Sequence, residues 1–518
     1  MIADVLRDGL ALWPVATPLA AAALATLLHR RPALQRAVME AAVALTLVAA
    51  ALLLAHAARG ERLVMAFGGW GAPFGVTFVA ERLGAALCTT AAAIAVAVAI
   101  FARADVRARR RRAGFDPLFL GMLASVNGAF LTGDLFNLYV WFELMLATAL
   151  GLMTLDRRRA QIDGALRYAA MSMMGATFIL VGIGLLYGAV GTLDMADLSR
   201  AIAGRAPSVT LTTAGYLLLA GLLLKSGVFP FFFWLPASYH TAPIGVAAAL
   251  AGLLTKVAFY ACLRVLVLVF GVGASAPAVS GMPPLLALLA ALTMLVSVLA
   301  AIAQVDVRRV LAFHVMGQVA YLVMGLALAS SLGTAAAIFY TMHTMLVQTG
   351  LFLGAGAIAR AGGGYDLRAA GGLIREHPFF AALFATLALS ISGVPPLSGF
   401  WAKALVIDAA VRARLPWSWW LIAIALVTGF LTLYSMSTLW TQAFWRPPKR
   451  RERRARPIPP AMVAAVALMA ACTLGLGLAI EPAVRLSRAA ARELAPEPPR
   501  QRRPPDVPPA LPPARGAP

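Results

Sequence analysis

Apolar runs of about 20 residues, divided by short polar stretches, recur from end to end of this 518-residue chain. A run of that length crosses the ~30 Å hydrocarbon layer of a bilayer as an α-helix, and the helix satisfies every backbone polar group there. The pattern predicts an all-α polytopic membrane protein with about fourteen transmembrane helices. They lie at 10–28, 38–57, 83–102, 116–132, 134–155, 168–190, 210–236, 242–270, 284–303, 309–330, 333–359, 378–409, 417–445 and 460–480. Alternate connections collect arginine: 29–37, 103–114, 156–167, 304–309, 360–377 and 446–457. The others, 58–82, 191–209, 271–283 and 410–416, are poor in it. Under the positive-inside rule the arginine-rich connections are cytoplasmic. Both termini then fall on the periplasmic face of a bacterial inner (cytoplasmic) membrane.

The chain divides into a three-helix segment (1–115), two five-helix blocks (116–270 and 284–445), a basic inside loop with a last helix (446–489), and a tail (490–518). The tail, "AARELAPEPPRQRRPPDVPPALPPARGAP", offers no packing face and reads as disordered. The first run, "LALWPVATPLAAAALATLL", reads as a spanning helix more than a cleaved signal peptide, because the basic "HRR" follows it. Two segments echo each other: "KSGVFPFFFW" (225–234) and "SGVPPLSGFW" (392–401) share Gly-Val-x-Pro inside long apolar spans. They fall in the seventh and twelfth spans, and an odd offset reverses the direction of crossing. Broken helices at matching places in two halves point to an inverted repeat with a site near the membrane midplane.

Composition agrees with this picture. The chain is 61% hydrophobic and 13% charged, whereas soluble domains average about 25% charged. The formal net charge of +22 does not imply a nucleic-acid partner, because the arginines cluster in connections such as "RADVRARRRR" (103–112) and "RPPKRRERRARP" (446–457). Cys88, Cys262 and Cys472 are scattered without disulfide or metal spacing. "AGGGYDL" (361–367) lacks the strand and lysine of a nucleotide-binding loop. No cofactor and no metal site are expected.

The charges inside the apolar spans carry the chemistry. Of 44 lysines and arginines only four are lysine, and Lys225, Lys256 and Lys403 of these lie within spans. Each intramembrane charge costs ~2.5–3.5 kcal/mol on insertion scales and calls for a function. Arginine stays protonated in proteins, whereas a desolvated lysine can release its proton. Arginine for topology and lysine for the membrane interior is the usage expected of a proton-conducting chain. Glu143 lies near the middle of the fifth span; Asp134 reads as an N-cap and Asp408 as interfacial. A lone carboxylate and several lysines should pair, either as a switch or as a static ion pair joining helices. His343 lies inside the eleventh span, with His314 and His240 near inner ends, as proton relays or hydrogen-bonded packing residues. Pro230, Pro395 and Pro396 read as helix breaks, with Pro230 freeing a carbonyl near Ser226 and opening the Lys225 helix to water.

"TGDLFNLYVWFELM", "LLLKSGVFPFFFWLPASYHTAP", "LLTKVAFY" and "SGVPPLSGFWAK" together resemble the proton-translocating antiporter-like family. That family includes large membrane subunits of respiratory complex I and the A-type and D-type subunits of Mrp-type cation/proton antiporters. The resemblance covers roughly 110–440 and is nearest to the D-type branch. The A-type branch carries a long C-terminal extension, and the M-type complex I branch has glutamate at the Lys403 position. The N-type complex I branch shares the lysine. The resemblance implies two inverted five-helix repeats (spans 4–8 and 9–13), each with a discontinuous helix. It also implies that Glu143 pairs with Lys225, that Lys256 is the central relay, and that His343 links it to Lys403 along a hydrated axis; His240 and His314 are secondary relays. The implied function is proton translocation in a multisubunit Na⁺ or K⁺/proton antiporter, with other membrane subunits as partners. The alternative is a proton-pumping component of a complex I-like quinone reductase or membrane-bound hydrogenase. A third, an assembly scaffold without conduction, does not account for three intramembrane lysines. The tail after 490 has no counterpart in the family core.

Overall fold

The computed structural model describes residues 9–70, 75–203, 205, 208–273, 279, 281–368, 371–447 and 456–495. Among them, twelve helices are long and apolar enough to cross a membrane. Two shorter apolar helices, Phe115–Leu131 and Pro378–Ser392, accompany them. Three helices form the centre and are almost wholly buried: Ile244–Val269, Val307–Ala327 and Ser331–Gly362. The first two, Gly9–Leu27 and Pro32–Ala58, are mostly uncovered and present leucines such as Leu27 and Leu45 outward. An apolar outer surface is what a bilayer requires.

Several expectations are corrected. The arginine-rich stretch 156–167 is not a loop for most of its length, since one helix runs Arg159–Val190. Ala160, Gln161, Ala165 and Leu166 are good helix formers, and Arg167 Nε lies 3.1 Å from Asp163 one turn earlier. The helix, 32 residues or about 48 Å long, projects beyond the hydrocarbon layer. The connection 58–82, expected to be a plain loop, holds a short antiparallel hairpin, β1 Leu63–Ala66 with β2 Thr77–Ala80, on an otherwise helical fold. The stretch expected to be a tail from 490 begins as helix: Ile480–Glu493 is amphipathic, and Ala490, Ala491 and Leu494 are buried. Residues 496–518, most of that tail, and 448–455 of the last basic loop lie outside the described residues.

Both expected breaks are present, but their cause differs from the expectation. The helix Val209–Ser226 ends at Gly227, which is left-handed at φ 73°, and Val228 N–H donates to Leu223 O at 3.1 Å. The helix Pro378–Ser392 ends the same way at Gly393, φ 92°, with Val394 N–H donating to Leu389 O at 3.1 Å. This is the glycine cap that closes a helix by a bond from the residue after the glycine to the carbonyl five residues before it. Pro230, Pro395 and Pro396 follow the caps in non-helical backbone rather than interrupting a helix, and Phe229–Pro230 and Pro395–Pro396 are cis. The chain resumes as Trp234–Tyr239 and Ser398–Ala413. The Gly-Val of the echo is therefore the capping pair.

A second correspondence ties the two halves. Asp134 caps Leu135–Met153, accepting from Asn137 N–H at 2.7 Å, and bridges to Asp194. Asp306 caps Val307–Ala327 and bridges to Asp366. At an arginine-rich connection, Arg110 donates twice to Asp156 at 2.7 Å and holds its carboxyl below the usual aspartate range.

Candidate functional site

The expected site residues fall into two clusters, one beside each helix break. At the first break, Lys225 sits in the last turn before Gly227 and is buried. Its ammonium donates to Ser172 Oγ at 3.1 Å and lies 5.1 Å from the centre of the Phe142 ring. Beside it is a cavity with room for about one water, lined by Met145, Tyr168, Leu254 and Trp234 among others. Trp234 Nε1 donates to Leu224 O at 3.1 Å, beside the Gly227 N–H that the same carbonyl accepts at 3.2 Å, and so ties the resumed helix to the end of the broken one.

Glu143 does not make the contact ion pair with Lys225 that the resemblance implies. The two are within electrostatic reach, yet Lys225 is bonded to Ser172 and Glu143 Oε1 is buried without a partner. Glu143 itself is only half-buried. A lysine held by a neutral hydroxyl, with a free carboxylate oxygen in its neighbourhood, leaves room for the pair to open and close around Ser172. The structure shows it open.

Lys256 is fully buried in the centre of Ile244–Val269. Its partners are neutral: Ala251 O, accepting at 2.6 Å, and the side-chain oxygen of Gln348. An ammonium held by neutral acceptors can surrender its proton without leaving a buried carboxylate unpaired. Gln348 Nε2 in turn points at His314 O, 3.5 Å away, and His314 Nε2 shares a hydrogen bond with Ser435 Oγ at 2.9 Å.

At the second break, Lys403 stands ten residues after Gly393, whereas Lys225 stands two before Gly227, so the two lysines approach their breaks from opposite sides. Lys403 donates to Ser392 O at 2.7 Å, taking up a carbonyl at the end of the broken helix, and lies 5.4 Å from the Tyr321 ring centre. His343 Nδ1 shares a 2.8 Å hydrogen bond with Ser398 Oγ, which meets Ser390 Oγ at 3.3 Å. His343 Nε2 is buried without a partner. Its ring meets Tyr340 edge-on at 5.6 Å, Tyr340 stacks on Tyr321, and Tyr340 donates to Gln318 Oε1 at 2.7 Å.

Lys256 thus reaches His314 through Gln348, and His343 reaches Lys403 through the rings of Tyr340 and Tyr321. Glu143 and Lys225 form a separate group. His240 is apart from both: its Nδ1–H donates to Pro236 O at 2.7 Å and its Nε2 accepts from Arg309 at 3.2 Å. Sequence reading missed Gln348, Gln318 and Ser172, although an amide or hydroxyl in a span that also holds lysine or histidine was the available signal. It also missed two buried ion pairs, Glu81 with Arg264 and Asp116 with Arg111. Among the described residues no group of histidine, cysteine or acidic side chains could hold a metal ion.

Residues 132–432 match the family described as the membrane region of NADH:quinone oxidoreductases and Mrp antiporters. The chain is 35% identical to the D-type subunit of the Na(+)/H(+) antiporter of Alkalihalophilus pseudofirmus, over 93% of this chain and 96% of that protein. It is 32% identical to the corresponding D-type antiporter protein of Bacillus subtilis, over 90% and 93%. Among solved structures, a chain of the Mrp complex from Dietzia sp. DQ12-45-1b superposes with TM-score 0.87 at 31% identity, covering 94% of this chain and 97% of that one. A chain of Thermus thermophilus respiratory complex I superposes with TM-score 0.74 at 28% identity, covering 92% and 99%.

Proposed function

This chain belongs to the NADH:quinone oxidoreductase/Mrp antiporter membrane family, and on that premise we propose that it is the proton-conducting component of a multisubunit Na⁺ or K⁺/proton antiporter. It works among other membrane subunits, in secondary transport and not as an enzyme. It spans the inner membrane with about fourteen segments, the two shorter apolar helices included, and both termini face outward. The blocks 116–270 and 284–445 are its inverted repeats, an assignment supported by the paired glycine caps and the paired bridges at Asp134 and Asp306.

The observation that carries this reading is Lys256, a fully buried lysine with neutral acceptors, on a helix that packs against both the helix of Lys225 and the helix of His343. A proton passes along this axis when Lys225 leaves Glu143 for Ser172: its charge is then no longer neutralised by the carboxylate and disfavours a second charge on Lys256. His343, with one ring nitrogen bonded to Ser398 and the other free, can take a proton on one side and give it on the other. Lys403 closes the series. The 35% identity to a Na(+)/H(+) antiporter subunit over nearly the whole of both chains favours the antiporter over the redox-driven alternative.

The experiment is cation-driven proton movement in everted vesicles carrying the whole complex. Addition of Na⁺ or K⁺ should relieve the quenching of a ΔpH dye, and Lys403→Ala should remove that response at normal protein level. A response that requires a quinone or another electron acceptor would overturn the antiporter reading.

A further inference from the structure

The most buried arginine among the described residues, Arg264, has no place in the scheme above. Arg264 lies on the same helix as Lys256 and Tyr260, at spacings of four and four, so the three side chains form one stripe along Ile244–Val269. Arg264 is buried. Its Nε–H donates to Tyr260 Oη at 2.8 Å, and Nη1 donates to Glu81 Oε2 at 2.8 Å. Its Nη2 is buried without a partner. Tyr260 O–H in turn donates to Phe130 O at 2.8 Å.

The stripe ends at a cavity of about 270 Å³ on the arginine-poor face. Arg264, Glu81, Arg62, Thr77, Asp194 and Glu493 contribute to its lining. Glu81 is shared, accepting from Arg264 and lying 2.8 Å from Arg62. Asp194 is occupied as a helix cap and by Thr77, and Glu493 by Arg82. One carboxylate thus serves two guanidiniums at the point where the stripe meets the cavity.

We propose that Arg264, seated on Glu81, is an electrostatic plug that closes the path between Lys256 and the outer cavity. Two features of the geometry do this. The Tyr260 hydroxyl accepts from Arg264 and donates to Phe130, so its one proton is committed and it cannot relay another from Lys256. The guanidinium stays protonated at working pH, and a fixed positive charge at a constriction repels protons and metal cations. Protons reaching Lys256 are then confined to the lateral route toward His343 and Lys403. The proposal rests on the transport reading, but its test does not need exchange to occur.

The test is the passive collapse of ΔpH in everted vesicles carrying the whole complex, in choline buffer without Na⁺ or K⁺, after respiration is stopped. Wild type and Glu81→Gln, which both keep the guanidinium, should hold the gradient equally. Arg264→Gln should collapse it roughly tenfold faster, the low end of what a fixed charge does to local ion concentration. Because removing one member of a buried pair can prevent folding, the double variant Glu81→Gln/Arg264→Gln keeps both shapes without either charge; it should be stable and equally leaky. Arg264→Lys should be tight at neutral pH and leak increasingly as pH rises, while wild type stays flat. A double variant as tight as wild type, or an Arg264→Lys leak that does not change with pH, would overturn the plug. If wild type shows no cation-driven proton movement in the companion assay, the transport reading fails while the leak comparison still decides the plug.

Discussion

Gly393→Ala should disable transport through Lys403 without replacing any titratable group. Gly393 adopts φ 92°, and an L-residue in the left-handed region costs about 1–2 kcal/mol. A Cβ there would stand 2.9 Å from Lys403 Cδ and 3.4 Å from its Nζ. The lysine must move, and its bond to Ser392 O at 2.7 Å is the contact in the way. A hydrogen bond from a charged donor is worth about 1.5–3 kcal/mol, so the two effects together amount to about 2.5–5 kcal/mol. Gly227→Ala is the matched control. It carries the same backbone cost at φ 73°, but the atoms nearest its Cβ belong to the side chains of Leu235, at 3.0 Å, and Trp234, and not to Lys225, which should stay on Ser172. Purified complexes of both variants should lose thermal stability, Gly393→Ala by more. In vesicles Gly393→Ala should lose most cation-driven proton movement while Gly227→Ala keeps a substantial part. Equal transport by the two variants at every pH would refute the idea that the Ser392 carbonyl seats Lys403 for its task.

Other outcomes follow from the same contacts. Pro230→Ala should leave both the break and the transport largely intact, because the helix already ends at Gly227; loss of transport with an unchanged melt would show that the proline itself aims Lys225. Gln348→Leu removes the side-chain acceptor of the buried Lys256 and should cost about 1–3 kcal/mol of thermal stability, with slower proton movement; an unaffected rate would remove Gln348 from the path. Lys225→Arg should fail nearly as badly as Lys225→Ala in the dye assay, since charge without an exchangeable proton is not enough, and a fully active arginine variant would make Lys225 a static partner. Asp156 is held ionised by Arg110, so its contribution to stability is present above the ordinary aspartate value of about 3.9 and is lost as pH falls through its lower folded value. Asp156→Asn should therefore melt below wild type at pH 7, and the two melts should converge under acid conditions; a constant difference would exclude the pair as the cause.

The spans and the intramembrane lysines were legible in the sequence because both depend on the bilayer, which penalises every polar atom and makes exceptions conspicuous. Local chemistry was less legible. Arginines at 157–159 read as a loop, yet the residues after them favour helix, and the Arg159–Val190 helix simply extends into water. The breaks were visible, but proline drew attention that belonged to glycine: Gly227 and Gly393 stop the helices, and the prolines follow. The hairpin Leu63–Ala66 with Thr77–Ala80 was too short to be seen beside runs of twenty apolar residues. The Glu81–Arg264 pair was not legible at all, because the partners lie 183 residues apart and only packing joins them. Glu143 and Lys225 lie within electrostatic reach of each other without a contact pair, and Ser172, which holds the lysine instead, is a partner that no spacing reveals.

The central claim is that a proton bound and released at Lys256 carries the flux. The direct measurement is cation-driven proton movement in proteoliposomes containing the whole complex with Lys256→Arg, beside wild type and Lys256→Ala. The account predicts that the arginine variant assembles and is as inactive as the alanine variant, because it holds a charge in place but cannot exchange its proton. Wild-type rates from the Lys256→Arg complex would contradict it.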